Sequence, residues 1–307
     1  MFPTCSDLLN SGTLDIRAAL VSVGEETIFE YYSPKADAQT LFPIYSITKS
    51  IVALGYGLLV AKKGYAFLKE PVFPYLQEHC SITCDSRIRA LTFEHLLTQS
   101  SGIKWREMGA AWGPGNPLWD MEHHHDWISF VLAKEFSTNP GRHFNYNSGA
   151  SHLLPYLMGK VLGVDVGELF LEEIFFPLGI DRMLWETDPQ ENPTGGKGIS
   201  LRAMDLLSIG QMVVNRGHFR GKQIIQDTWL EACCSKKMHV SGFYGDYGYQ
   251  WWIRPEGVIA AMGFGGQYLL LDRARELSVA VVGNLGTQHF AEPLKLFEQI
   301  RSEIEVK

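Results

Sequence analysis

Apolar and polar positions along the chain fall into three regimes. Near the N-terminus, Ala19-Leu20-Val21-Ser22-Val23 and Thr27-Ile28-Phe29-Glu30-Tyr31-Tyr32 flank a Gly24-Glu25-Glu26 turn, which predicts an antiparallel hairpin. Toward the C-terminus, residues 247–253, 258–262, 268–271 and 277–282 are rich in aromatic and β-branched residues and are separated by short turns, the pattern of one meander. Between these ends the period becomes helical, as in Ile47, Ile51, Leu54 and Leu58, again over 92–97, and again over 148–162. A last helix over about 291–304 would cover a face of the sheet. The terminal strands therefore pair into one antiparallel sheet flanked by helices, and the middle forms a mostly helical inserted region, an α+β organisation. Residues 1–50 and 200–307 are expected to form a discontinuous sheet domain, and 51–199 a helical one. The stretch 105–120, with Gly113-Pro114-Gly115-Asn116-Pro117, is long enough for a loop to suggest a binding role.

Composition narrows the function classes. The chain has 307 residues, 46% hydrophobic and 20% charged, with a formal net charge of -7, enough material for a sizeable core. No run of Lys and Arg exceeds two residues, so nucleic acid is not an expected partner. The start, Met1-Phe2-Pro3-Thr4-Cys5, lacks the basic and apolar stretches of a secretory signal, and no apolar run approaches the roughly 20 residues of a membrane helix. A cytoplasmic protein with no membrane partner is expected. Five cysteines, an odd number, fit free thiols in a reducing compartment.

The chemistry is concentrated in Tyr45-Ser46-Ile47-Thr48-Lys49, which opens an apolar helical stretch and sets Ser46 and Lys49 one turn apart. A serine hydroxyl is a weak nucleophile unless a neighbouring group takes its proton, and a lysine three residues on along one helix face can do so. Burial and the positive end of the helix dipole both push such an amine toward its neutral form. Ser101-Gly102-Ile103-Lys104 repeats the spacing but ends a helix at Gly102, so its two side chains need not share a face. Tyr146, in a turn leading into the 148–162 helix, offers a phenol that would lose its proton easily beside a cation. In Gly263-Phe264-Gly265-Gly266-Gln267, between two strands, missing side chains would let a substrate lie against the backbone and an N–H meet an oxyanion.

Together and in this order, these three elements resemble the serine β-lactamase and penicillin-binding-protein superfamily, most closely its class C-like branch with carboxylesterases and nylon-oligomer hydrolases. The resemblance extends to Leu96-Leu97-Thr98-Gln99-Ser100-Ser101-Gly102, to Phe176-Pro177-Leu178-Gly179 and to Gly195-Gly196-Lys197-Gly198. It implies a β-lactamase/transpeptidase-like fold and an acyl-enzyme on Ser46, with Lys49 activating it and Tyr146 relaying a proton to the leaving group. It also implies an oxyanion hole from the N–H groups of Ser46 and Gln267 beside Gly266, and substrate contact at Ser148. No metal or organic cofactor is implied.

Two departures bear on the substrate. Ser148 stands where the family has an asparagine, with Asn147 as a neighbouring substitute, and Phe264 stands where a lysine or histidine helps hold a β-lactam carboxylate. Arg254 or Arg142 would have to supply that charge. The expected substrate is a small ester or amide, with a β-lactam as a further option. The alternatives are a DD-peptidase and a catalytically silent relative that binds a ligand or partner. His123-His124-His125-Asp126 lacks helical metal-ligand spacing and reads as a solvated loop or helix start, Cys80, Cys84, Cys233 and Cys234 read as free thiols, and Trp251-Trp252 wall the cleft or fill the core.

Overall fold

The computed structural model describes Leu9 and residues 14–81, 84–240 and 242–304. The N-terminal stretch read for export signals, Cys5 included, lies outside the described residues. The strands in chain order are β1 (Ile16–Val23), β2 (Glu26–Tyr32), β3 (Phe42–Pro43), β4 (Leu184–Trp185), β5 (Ile199–Leu201), β6 (His218–Phe219), β7 (Lys222–Gln223), β8 (Asp246–Tyr247), β9 (Trp252–Ile253), β10 (Ile259–Gly263), β11 (Gln267–Asp272) and β12 (Leu277–Gly283). Seven of them make one sheet in the order β2-β1-β12-β11-β10-β9-β8. β1 pairs antiparallel with β12, Leu20 opposite Ala280, so the two chain ends close a single α+β sheet, as the sequence pattern predicts.

Side chains alternate across a strand, and here each face has its own core. Ala18, Leu20, Leu269, Leu271, Ala280 and Val282 point into the core shared with the inserted helices. Ala19, Val21, Leu270, Val279 and Val281 point the other way, under Leu294, Phe297 and Ile300 of the C-terminal helix Glu292–Glu303. A register shift between Ile16 and Ala18 puts Ile16 on the same side as Ala19. Burying both faces explains why the central strands read as continuous apolar runs. The stretch 247–253, expected as one strand, is instead the tight pair β8 and β9. Its Gln250 takes a positive φ of 61°, and Gly248 lies so close to the Cys233 carbonyl that a side chain would not fit.

Three features of this frame position the site. The helix Ile47–Lys63 runs through the centre of the molecule, buried on nearly all sides. The helix Ser148–Leu162 packs beside it, started by Asn147, whose side chain accepts from the Ala150 N–H at 2.8 Å. The small sheet β3-β5-β4 ties the segment before Ser46 to the segment after Gly198, with the Ile44 N–H donating to the Ile199 carbonyl at 2.9 Å. Among the described residues no helix is long and apolar enough to cross a membrane.

Candidate active site

Ser46 sits at the head of the Ile47–Lys63 helix with its side chain free of any capping bond. Tyr45 before it holds a φ of +46°, a region that non-glycine residues avoid and that is found where a surrounding structure enforces it. Lys49, one turn on, is only 1% exposed. Its Nζ lies 3.0 Å from Ser46 Oγ, 2.9 Å from Ser148 Oγ and 2.6 Å from the Gly196 carbonyl oxygen. Burial brings its pKa down to about 8, opposed by the nearby charge of Glu107 and assisted by Lys197. The sequence-based expectation of a depressed amine agrees in direction.

Tyr146 faces the same serine: its phenol lies beside the Ser46 hydroxyl, and Lys49 Nζ lies 4.8 Å from its ring centroid. The ring stacks on Trp252 at 6.0 Å and 16°, and Trp252 stacks in turn on Tyr244 at 5.0 Å. The two tryptophans thus divide the roles offered by the sequence: Trp252 backs the tyrosine and Trp251 fills the core. The expectation of an easily ionised phenol is corrected. Burial, with the charge of Glu107, pushes the Tyr146 hydroxyl well above its ordinary range, and the Ser46 hydrogen bond only partly offsets this. Tyr146 is a neutral proton donor and acceptor, not a phenolate.

Distant segments converge here because buried polar groups must be paired. Gln99, at the end of the helix Phe93–Leu97 and at a φ of 56°, accepts from the Asn147 N–H at 2.6 Å and donates to Ser151 at 2.6 Å and to the Gln250 side-chain oxygen at 3.2 Å. Ser50, one residue beyond Lys49, donates to the Gln250 carbonyl at 2.6 Å. This hub joins the helices Ile47–Lys63 and Ser148–Leu162 to the β8–β9 turn. Gly195 and Gly196 lie against the start of the Ser148–Leu162 helix, where a Cβ on Gly195 would collide with the Ser151 carbonyl, and this contact delivers the Gly196 oxygen to Lys49.

Ser148 does not face an open cleft. It is 1% exposed, with Oγ placed between Lys49 and Glu107, whose Oε1 lies 2.6 Å away. The Asn147 side-chain oxygen caps its helix, and its Nδ2 is buried with no hydrogen-bond partner among the described residues. Glu107, which the sequence did not single out, comes from the loop suspected of a binding role, and it also accepts from the Trp105 indole at 2.6 Å and the Ser148 N–H at 3.1 Å.

Residues 264–266 form a turn between β10 and β11, in which Gly265 and Gly266 take φ of 75° and 91°. Gln267 opens β11 opposite Gly263, and its side-chain amide donates to the Gly283 and Gly265 carbonyls at 2.6 and 3.3 Å. The hairpin nonetheless reaches the nucleophile: Gly263 abuts the Ile44 carbonyl, and the Phe264 ring meets Tyr45 edge-on at 5.8 Å. The N–H groups of Ser46, Phe264, Gly265 and Gly266 carry no hydrogen bond among the described residues.

Other sequence candidates lie elsewhere. Ser101 is buried, while Lys104 is exposed and pairs with Glu135 at 3.2 Å, so that repeat of the spacing brings no lysine to a serine. Asp126 caps the helix Trp127–Leu132 and His123 stacks on Trp119, so this segment starts a helix. Arg254 donates to the Phe243 carbonyl at 2.7 Å and lies over the Phe243 ring at 5.3 Å.

Withdrawing Lys49 from water has a consequence for stability. Its folded pKa is about 8, below the 10.5 of an ordinary lysine, so between these values the unfolded chain binds the extra proton and stability rises with pH. In urea melts of wild type against Lys49→Met, the stability difference should shift in favour of wild type by about 3 kcal/mol from pH 7 to pH 11. A difference that stays flat over that range contradicts the depressed amine.

Known proteins share this arrangement of chain. A 6-aminohexanoate-dimer hydrolase from Paenarthrobacter ureafaciens is 24% identical over 279 residues, 83% of this chain and 69% of that protein. The solved structure of EstCE1, a hydrolase with promiscuous acyltransferase activity, superposes with a TM-score of 0.76 at 15% identity, covering 96% of each chain. A penicillin-binding protein from Bacillus halodurans gives 0.75 at 18% identity, over 98% of this chain and 100% of that one. The family model for beta-lactamase matches residues 17–297, a span that holds Ser46, Lys49, Tyr146 and the 263–267 hairpin, and the chain belongs to the beta-lactamase family.

Proposed function

We propose that this protein is a serine hydrolase that forms an acyl-enzyme on Ser46 and turns over a small ester or amide flanked by apolar groups. The observation that carries the reading is the convergence at Ser46, with Lys49 Nζ 3.0 Å from Oγ and the Tyr146 phenol beside the same hydroxyl. Neutral Lys49 takes the Ser46 proton as Oγ bonds to the substrate carbonyl carbon. The oxyanion is held by the N–H groups of Ser46 and Gln267, the donors that the resemblance implies, each worth about 3 kcal/mol in the transition state. Tyr146 then gives its proton to the leaving oxygen or nitrogen and regains one from the Lys49 ammonium, and water releases the acyl group by the reverse route.

The rim supports the apolar preference. Phe264 is 63% exposed and packs edge-on against Tyr45 and Phe290. Lys197 is already paired with Glu122 at 2.8 Å, so it is not a free cation for a β-lactam carboxylate. The resemblance to a 6-aminohexanoate-dimer hydrolase and to EstCE1 fits amide and ester chemistry.

Intact-mass analysis after a fluorophosphonate should show one adduct, mapping to Ser46. A protein that stays unlabelled at high reagent concentration is a binder and the hydrolase reading is wrong. For substrate class, kcat/KM on nitrophenyl esters should rise with acyl length, and Phe264→Ala should remove roughly tenfold of that gain by deleting buried contact area. A preference for a chromogenic cephalosporin over all esters would reverse the assignment.

A further inference from the structure

We propose that Glu107 is a positioning residue that acts through Ser148 to aim the lone pair of Lys49 at Ser46. The inference rests on the serine-hydrolase reading above and follows from counting protons around one nitrogen.

A neutral amine has two N–H donors and one lone pair. Lys49 Nζ has three neighbours within hydrogen-bond distance: the Gly196 carbonyl, Ser148 Oγ and Ser46 Oγ. The carbonyl can only accept, so it takes one N–H. Ser148 is a hydroxyl and could either accept from the amine or donate to its lone pair. Glu107 decides between these. Its Oε1 lies 2.6 Å from Ser148 Oγ and accepts the hydroxyl's hydrogen bond, which leaves Ser148 only an acceptor toward Lys49. Both N–H groups are then spent on Gly196 and Ser148, and the lone pair is left facing the Ser46 hydroxyl.

The carboxylate is itself fixed in this orientation. Its second oxygen accepts from the Trp105 indole at 2.6 Å and from the Ser148 N–H at 3.1 Å, two donors that hold only an acceptor in that place. The N–H of Ser148 lies in the first turn of a long helix, where negative charge is favoured. The pair Ser148 and Glu107 thereby fills the position where relatives carry an asparagine, and it adds a charge that opposes the loss of the Lys49 proton.

Glu107→Gln tests this because the two N–H donors force the new amide to turn its oxygen toward them. Its NH2 then faces Ser148 Oγ, so the Ser148 hydroxyl is released to donate to the Lys49 lone pair. Acylation of Ser46 by a nitrophenyl ester should lose roughly tenfold on its high-pH plateau, and its acid limb should move to lower pH by about half a unit or more, since a neighbouring negative charge is gone. Ser148→Ala keeps the charge and removes the bridge, so its plateau falls while its limb stays. In the double variant the plateau should match the single variants and not fall by their product. The Lys49 titration followed by 13C-lysine NMR gives the same shift without requiring turnover.

An unmoved limb and an unmoved Lys49 titration in Glu107→Gln would overturn the proposal, as would plateau losses that multiply. Failure of Ser46 to acylate in the wild type would instead remove the hydrolase reading, and the NMR titration still judges Glu107 on its own.

Discussion

Lys49→Ala should abolish acylation of Ser46, with kcat/KM on an activated ester falling about 10⁴-fold, the scale seen when a nucleophile loses its base. The structure offers no substitute base at Ser46 Oγ. Tyr146 is the other side chain beside that hydroxyl, and its proton is held too tightly for it to act as a phenolate. Ser148 keeps its proton and donates its hydroxyl in a hydrogen bond to Glu107. In the wild type, the same reasoning fixes the pH profile. Only the neutral amine accepts a proton, so acylation should climb with pH and level off above about 8, the value to which burial brings Lys49. Stopped-flow acylation across pH 6 to 10 checks both parts, with circular dichroism to show that the variant is folded. Retention of more than a tenth of the wild-type rate in Lys49→Ala, or a flat wild-type profile, would remove Lys49 from the base role.

The sequence reveals the nucleophile more readily than its surroundings, and the reason is range. Ser46 and Lys49 lie on one helix, where spacing alone decides which side chains are neighbours. The sheet is legible for a similar reason: continuous apolar runs along residues 16–23 and 277–283 mark strands buried on two faces, and strands at both ends of the chain have to pair. Tyr146, 97 positions beyond Lys49 in the numbering, emerged only because its motif resembles a family pattern. Glu107 carried no signal of this kind. It sits in an irregular loop with no period, and its importance comes from contacts to Trp105 nearby and to Ser148 far along the chain. Gln99 was quoted only as part of a motif, although the structure makes it the hub that holds the helices Ile47–Lys63 and Ser148–Leu162 in register.

The 263–267 segment is located by the family resemblance, while the form its backbone takes between the two strands is set locally. The structure shows a turn, lying across the residue before the nucleophile. Gly263 serves close approach there, and Gly265 and Gly266 serve the positive φ of the reversal. Resemblance therefore located the segment, and backbone sterics determined its form.

Tyr146→Phe separates the proton relay from the rest of the machinery. The substitution keeps the ring that stacks on Trp252 at 6.0 Å and covers Lys49 at 4.8 Å, so packing and the environment of the amine change little. What is lost is the hydroxyl beside Ser46, the group proposed to pass a proton between Lys49 and a leaving atom. The loss should depend on how much the leaving group needs that proton. For an alkyl amide or alkyl ester, whose leaving group must be protonated as it departs, kcat/KM should fall about 10²- to 10⁴-fold, the usual contribution of a positioned acid. For a nitrophenyl ester, whose leaving group departs as a stable anion, acylation should fall no more than about tenfold by the same reasoning. Comparing the two substrates on one variant cancels changes in folding and in Lys49. An equal loss on both would place Tyr146 in orienting Ser46, and its role as the acid toward the leaving group would have to be given up.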